Sequence, residues 1–216
     1  NWYRSLFPTK FTKNKIEKKY GKFLTYEVTP QYIRRPWVAK RILQTFPKMK
    51  FILLLRNPID RTLSHYYLAK RTNHKILQDK DGILSFDAIV HRDIESISRF
   101  EKGKSDLDEN YFRDFIEKTF LGRGLYVQFL REWFKVYDKE HFLILSTEEL
   151  ANNTQNTLNK IFKFLKITEF EIPNIQKHNI GKYDPMNDDT RKKLVEFFEK
   201  YNQSLYKLLG KDFGWK

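Results

Sequence analysis

The chain has 216 residues, a size that suits one large domain and buries roughly 70% of its unfolded surface on folding. Its 19 Phe, 12 Tyr and 4 Trp can fill a core, while the lack of cysteine excludes disulfides and thiolate metal sites, and no apolar run approaches the roughly 20 residues of a membrane span. The 41 Lys and Arg against 27 Asp and Glu leave a formal net charge of +14, which favours an anionic partner: a nucleotide, an acidic glycan, nucleic acid or a membrane surface. Most of the lysines are spread along the chain as solvated helix faces, and the densest run, Lys13 to Lys22, is short. The first residues do not read as a signal peptide, and the absence of cysteine leans towards a reducing compartment.

In chain order, Lys22–Thr29 reads as a short strand that Pro30 ends. Gln31–Phe46 reads as a helix with Trp37, Val38, Ile42 and Leu43 near helical spacing, and Pro47 stops it. Phe51–Leu55 is a strand apolar enough to be buried on both faces. The two strands and the helix between them predict a parallel pair with a right-handed crossover. Asn57 can cap the next helix and Pro58 suits its first turn, which carries the helix to about Lys70. Ser85–Phe100 follows as a helix, and Lys102–Asn110 as a polar loop. Gly122-Arg123-Gly124 leads into a helix whose apolar stripe is Tyr126, Phe129, Leu130, Trp133, Phe134 and Tyr137. His141–Leu145 is a strand, Ser146-Thr147-Glu148-Glu149 fits a capping box, and Leu158 to Leu165 marks the next helix. A long helix from about Asp189 to Leu209 stops at Gly210, with Phe213 and Trp215 expected to dock on the core.

Strands alternating with helices imply an α/β fold, a parallel sheet flanked by helices. Ligands in such folds bind beyond the carboxyl ends of the strands, where Glu27 and Arg56 are both expected. Arg56 offers a planar fork for bidentate phosphate contact, and Ser64, two turns into the following helix, offers a hydroxyl. The plainer readings are a solvated cation at a strand end and a small residue on a helix face. Asp60 and Arg61 read as braces of the corner, with no direct part in binding. The five His residues lack metal-ligand spacing, so no metal site is expected; His65 reads as a helix-surface residue that could line a cleft.

The stretch Phe51 to Tyr67 resembles the 3′-phosphate-binding segment of the PAPS-dependent sulfotransferases (PAPS is 3′-phosphoadenosine 5′-phosphosulfate), in which Arg and Ser at this spacing hold the 3′-phosphate. Tyr26-Glu27-Val28-Thr29-Pro30-Gln31-Tyr32 resembles the Glu-x-Thr-Pro-x-Tyr element of the carbohydrate (heparan/glycosaminoglycan-type) branch. The resemblance implies a P-loop-nucleotide-kinase-like sulfotransferase fold over residues 1–216 as a single domain. It implies Glu27 as the base that takes the acceptor proton, and Arg56 and Ser64 as cofactor-binding residues. The alternative for Glu27 is a strand-end carboxylate paired with a lysine. His178-Asn179-Ile180-Gly181-Lys182-Tyr183 falls where the family places a basic loop over the nucleotide, so Lys182 is either a 3′-phosphate contact or part of a plain surface loop. PAPS would be the sulfuryl donor and PAP (adenosine 3′,5′-bisphosphate) the product, with no metal, and the acceptor a hydroxyl or amino group, best a saccharide's.

The family's phosphosulfate loop, with its lysine, has no counterpart here, and the resemblance starts after it. The chain is therefore expected to be N-terminally incomplete, to lack the first central strand of its sheet, and to be inactive on its own. A bacterial cytosol is the favoured setting, with the Golgi lumen as the alternative. Two other readings stand beside this one. A non-catalytic basic nucleotide- or nucleic-acid-binding module would need aromatic platforms among the Lys and Arg, whereas the aromatics fall on core stripes. A nucleotide-kinase-like protein would need a Walker loop.

Overall fold

The computed structural model describes residues 2–79, 82–103, 116–173 and 183–215. In chain order its helices begin with α1 (Trp2–Ser5), α2 (Lys10–Tyr20) and α3 (Trp37–Thr45), which lead to strand β1 (Phe51–Leu55) and helix α4 (Pro58–Arg71). Short strands β2 (Gln78–Asp79) and β3 (Gly82–Ile83) precede α5 (Phe86–Gly103). Then come α6 (Tyr126–Phe134), β4 (Phe142–Ser146), α7 (Thr147–Asn152), α8 (Thr154–Leu165) and α9 (Asp188–Leu209).

The apolar run Phe51–Leu55 pairs in parallel with β4, in register from Phe51 opposite Phe142 to Leu55 opposite Ser146. The two strands are directly bonded, so no gap lies between them. Phe51 and Phe142 stack across the pair at 4.9 Å. Leu53 and Leu55 join the core, whereas Ile52 and Leu54 remain 40% and 46% exposed. The strand is thus covered on one face, not on both as its composition implied: an unbroken apolar run does not tell which face a helix will cover.

Two sequence expectations fail upstream of β1. Lys22–Thr29 is not a strand, and Tyr26 and Val28 project into solvent, 88% and 76% exposed. A strand needs a partner edge for its amides, and among the described residues this segment has none. The parallel pair therefore joins β1 to β4, and the expected crossover from residues 22–29 to β1 is not formed. The helix expected over Gln31–Phe46 is broken by Pro36 into a single 3₁₀ turn, Tyr32–Arg34, and α3. Proline drives the residue before it out of helical geometry, and Arg35 accordingly has φ −122° and ψ 69°. In the other direction, the β2–β3 hairpin was not anticipated.

Helices α1 and α2 were not anticipated either, whereas α4, α5, α6, α8, α9 and strand β4 follow the sequence pattern. Leu55 and Ile59 pack with Ile89 and Ile97 of α5, Phe129 and Leu130 of α6, and Leu194 and Phe198 of α9. A smaller cluster gathers Ala39 of α3, Trp133 and Tyr137, with Phe51 and Phe142 against it. Gly210 closes α9 in the left-handed region at φ 65°. Beyond it Phe213 stacks on buried Trp215 at 4.5 Å, docking the tail as expected.

Fully buried Asp93 of α5 accepts from the backbone N–H groups of Phe120 (2.6 Å) and Leu121 (3.2 Å), and Arg92 pairs with it at 3.0 Å. Burial pushes its pKa up, against the pull of Arg92 and these two amides. The bonds fix the turn Gly122–Gly124 in front of α4. A Cβ on Gly124 would stand 3.0 Å from both Phe198 and Pro58, so glycine is what lets this turn, and Arg123 within it, approach the start of α4.

Ser146 and Glu149 form the expected capping box at the start of α7. Glu149 also receives Lys160 of α8 and Lys211 of the tail, the latter at 2.6 Å. Burial pushes its pKa up, but the hydrogen bonds and charges of the two lysines outweigh that and hold it down at about 2, against the ordinary 4.5. The folded pKa is the lower one, so this stabilisation is complete above pH 4.5 and is lost as pH falls from 4.5 towards 2. With its exposure discounted, it is worth about 1–3 kcal/mol at neutral pH. Denaturant unfolding of Glu149→Gln should show a deficit against the parent at pH 7 that shrinks steadily below pH 4.5; an equal deficit at pH 7 and pH 3 would refute this account.

Candidate active site

The corner between β1 and α4 is built by capping. The Asn57 side chain accepts from the N–H of Ile59 (2.9 Å), and Pro58 occupies the first turn, where a missing N–H costs nothing. The corner is also held from outside. The N–H of Asn57 donates to Glu148 Oε1 (3.0 Å), and the hydroxyl of Tyr126 donates to the carbonyl of Arg56 (2.9 Å). Trp215 in turn donates through its indole N–H to Glu148 Oε2 (3.4 Å). The backbone of Arg56 is thereby pinned by α6 and α7 at the carboxyl end of β1, with its side chain half-buried.

Ser64 faces Tyr183: their hydroxyl oxygens are 2.8 Å apart. The Tyr183 ring stacks on Tyr67 at 5.0 Å, and the Tyr67 hydroxyl donates to Asp184 Oδ2 (3.0 Å). The segment entering α9 is thus fastened to the face of α4 that carries Ser64. Lys182, expected in this loop, lies outside the described residues, as do its neighbours from residue 174 onward.

Arg61 lies one turn before Ser64 on the same face. Its Nη1 is buried and has no hydrogen-bond partner among the described residues. Burial, first, and then the nearby Arg56 push its pKa down, opposed by Tyr126. Arg61 is therefore not the locally bonded brace that its sequence position implied. Asp60 does brace, but over distance, pairing with Arg191 of α9 at 3.6 Å.

His65 is not a free surface residue either. Its ring tilts against Phe120 at 4.7 Å, and its Nε2 stands 2.8 Å from Nη1 of Arg123. Burial, and then the charges of Arg123, Arg61 and Arg34, push the His65 pKa down to about 3. The ring is neutral at neutral pH, so Nε2 accepts and Arg123 donates. Arg56, Arg61, Arg34 and Arg123 thus gather around one face of α4 and the turn before α6. Sequence reasoning missed Arg123, which meets His65 across 58 residues. The available local signal was the i, i+4 spacing of Arg61 and His65.

Glu27 is not bonded to this cluster among the described residues. Its carboxylate is exposed on the extended segment before Pro30 and accepts from the Thr29 hydroxyl. Among the described residues it pairs with no lysine or arginine and makes no contact with Arg56 or Ser64. The aromatic stripe of α6 is core: Phe129 and Trp133 are buried and offer no stacking face to a nucleic acid. Among the described residues no cluster of His, Asp and Glu is arranged to hold a metal ion, and no helix is long and apolar enough to cross a membrane.

Comparison with known proteins places this corner in context. A family model described as "Sulfotransferase domain" matches residues 18–211. The chain is 24% identical, over its whole length and 57% of the relative's, to a membrane-associated sulfotransferase, kil1, of Dictyostelium discoideum. It is 27% identical to human carbohydrate sulfotransferase 15 over 84% of the chain and 34% of that protein. It is 24% identical to human heparan sulfate glucosamine 3-O-sulfotransferase 6 over 99% of the chain and 60% of that protein. The chain therefore spans between a third and three-fifths of these relatives. Among solved structures, a sulfotransferase from Alicyclobacillus acidocaldarius superposes with a TM-score of 0.60 at 22% identity, over 85% of this chain and 63% of that one; at that identity the match speaks for the fold.

Proposed function

The chain belongs to the sulfotransferase domain family, and on that premise we propose that it moves a sulfuryl group from PAPS to a hydroxyl or amino group of a saccharide. The observation that carries the reading is the corner itself. A half-buried Arg56 at the end of β1 stands near a Ser64 hydroxyl on α4 and, one turn before it, a buried Arg61 guanidinium nitrogen that has no partner among the described residues. A buried unpaired donor is costly, and a phosphate oxygen would satisfy it. The donor set is cationic and hydroxylic, with neither thiolate nor carboxylate, and so fits a nucleotide phosphate.

In this reading Arg56, Ser64 and Lys182 are the residues that hold the 3′-phosphate. Bound there, PAPS supplies a sulfuryl group already activated on phosphate. Glu27 takes the proton from the acceptor's attacking group, and its exposed position leaves room for a saccharide. The saccharide acceptor draws support from relatives whose names are carbohydrate and heparan sulfate sulfotransferases.

The direct test is transfer. The natural protein, supplied with sulfur-labelled PAPS and a panel of saccharides, should place the label on a saccharide. Label remaining in nucleotide or released only as inorganic sulfate would overturn the reading.

A further inference from the structure

We propose that helix α2 is a docking surface for an anionic lipid membrane, on which the chain rests without crossing it. This holds whatever the corner at Arg56 binds. The lysine run on α2 takes no part in that corner. The helix carries five lysines, Lys10, Lys13, Lys15, Lys18 and Lys19, and one acid, Glu17. That acid is committed to the fold: it pairs with Lys13 at 3.6 Å and accepts from the backbone N–H of Phe23 at 3.4 Å. Four of the five lysines therefore have no acid partner on their own helix.

Helix α2 buries no residue. Ile16 and Glu17 are half-buried and mark the side on which it rests. Phe11, Lys15 and Lys18 follow at i, i+4 and i+7 along the opposite side, with Lys19 beside them. The Phe11 ring stands 80% exposed among these lysines. At the end of the helix Tyr20 is 72% exposed, with the Lys19 ammonium 4.8 Å from its ring centre.

Two features of this face select the partner. The first is that its cations are all lysines. Arginine forks suit a phosphate or sulfate held in a built pocket, and the corner at the end of β1 has them; α2 has no arginine. Lysine is a point charge on a flexible stem, and a row of lysines is drawn to a diffuse anionic surface without any fixed geometry. The second feature is Phe11. At a bilayer interface the lysines reach the headgroups while the ring enters the acyl boundary. A soluble acidic polymer rewards the lysines, but only the bilayer gives the ring an apolar phase to enter.

The test is co-sedimentation of the chain with vesicles of phosphatidylcholine alone and of an equal mixture of phosphatidylcholine and phosphatidylserine. The chain should bind the mixed vesicles, leave them as salt is raised, and ignore the neutral ones. Lys15→Ala, Lys18→Ala and Lys19→Ala together should weaken binding about 100-fold, roughly fivefold for each lysine. Phe11→Ser, which leaves the charge unchanged, should weaken it about tenfold. Because α2 buries no residue, both variants should keep the parent's melting temperature. Alanine at Lys192, Lys193 and Lys207, exposed on α9, removes the same charge elsewhere and should change binding far less.

Equal binding to both kinds of vesicle, binding to neither, or an equal loss in the α9 variant would overturn the proposal. So would Phe11→Ser binding as tightly as the parent, which would leave net charge alone as the attraction. Binding of a soluble sulfated polysaccharide through α2, with no binding to the mixed vesicles, would also overturn it and give this face to an acidic glycan.

Discussion

Replacing Arg56 with alanine should weaken the binding of adenosine 3′,5′-bisphosphate by about 10- to 100-fold. That is the cost of one charge-assisted hydrogen bond, roughly 1.5–3 kcal/mol. The substitution is clean, because among the described residues Arg56 hydrogen-bonds through its backbone: its carbonyl accepts from Tyr126, and the corner is capped by Asn57 and held by Glu148. Thermal unfolding should therefore change little. The parent should also bind the bisphosphate far better than AMP, which lacks the 3′-phosphate, and the alanine variant should lose most of that preference. Titration calorimetry with both nucleotides measures all four affinities. Equal affinity of the parent for the two would remove Arg56 and Ser64 from the cofactor site.

The second large effect concerns Glu27. In the natural protein, Glu27→Gln should lower turnover by about 10²–10⁴-fold, the usual contribution of a general base, and leave bisphosphate binding nearly unchanged. Glutamine keeps the shape and can still accept from Thr29, but it cannot take a proton. The carboxylate is exposed and makes no contact with the core, so the variant should fold as the parent does. Unchanged turnover would return Glu27 to the role of an ordinary surface acid. The two experiments separate binding from chemistry: Arg56 should move the nucleotide affinity and Glu27 the rate.

The contrast between these residues also shows what a local sequence can carry. The corner at Arg56 was legible because each of its parts acts on near neighbours. An apolar run gives a strand, Asn57 caps the helix two residues on, Pro58 fits the first turn, and Ser64 follows at fixed helical spacing. The capping box at Ser146, the stripe of α6 and the stop at Gly210 were legible for the same reason. Lys22–Thr29 was not. Its alternation is what a strand needs on its own account, but a strand is completed by another chain segment, and none among the described residues pairs with it.

The sequence by itself determined the α/β class, the helices α4, α5, α6 and α9, the core-forming stripes and the strand-to-helix corner that carries Arg56 and Ser64. All of these rest on propensity, capping and periodicity within a few residues. Only the tertiary structure decided that β1 pairs with β4, that a single face of β1 is covered, that Ser64 meets Tyr183, and that Arg123 meets a buried, neutral His65. Those arrangements join residues 58 to 119 positions apart or depend on what is packed around a side chain. Burial and neighbouring charge, which set whether a guanidinium is paired and an imidazole neutral, are properties of the assembled fold and are written in no short stretch of chain.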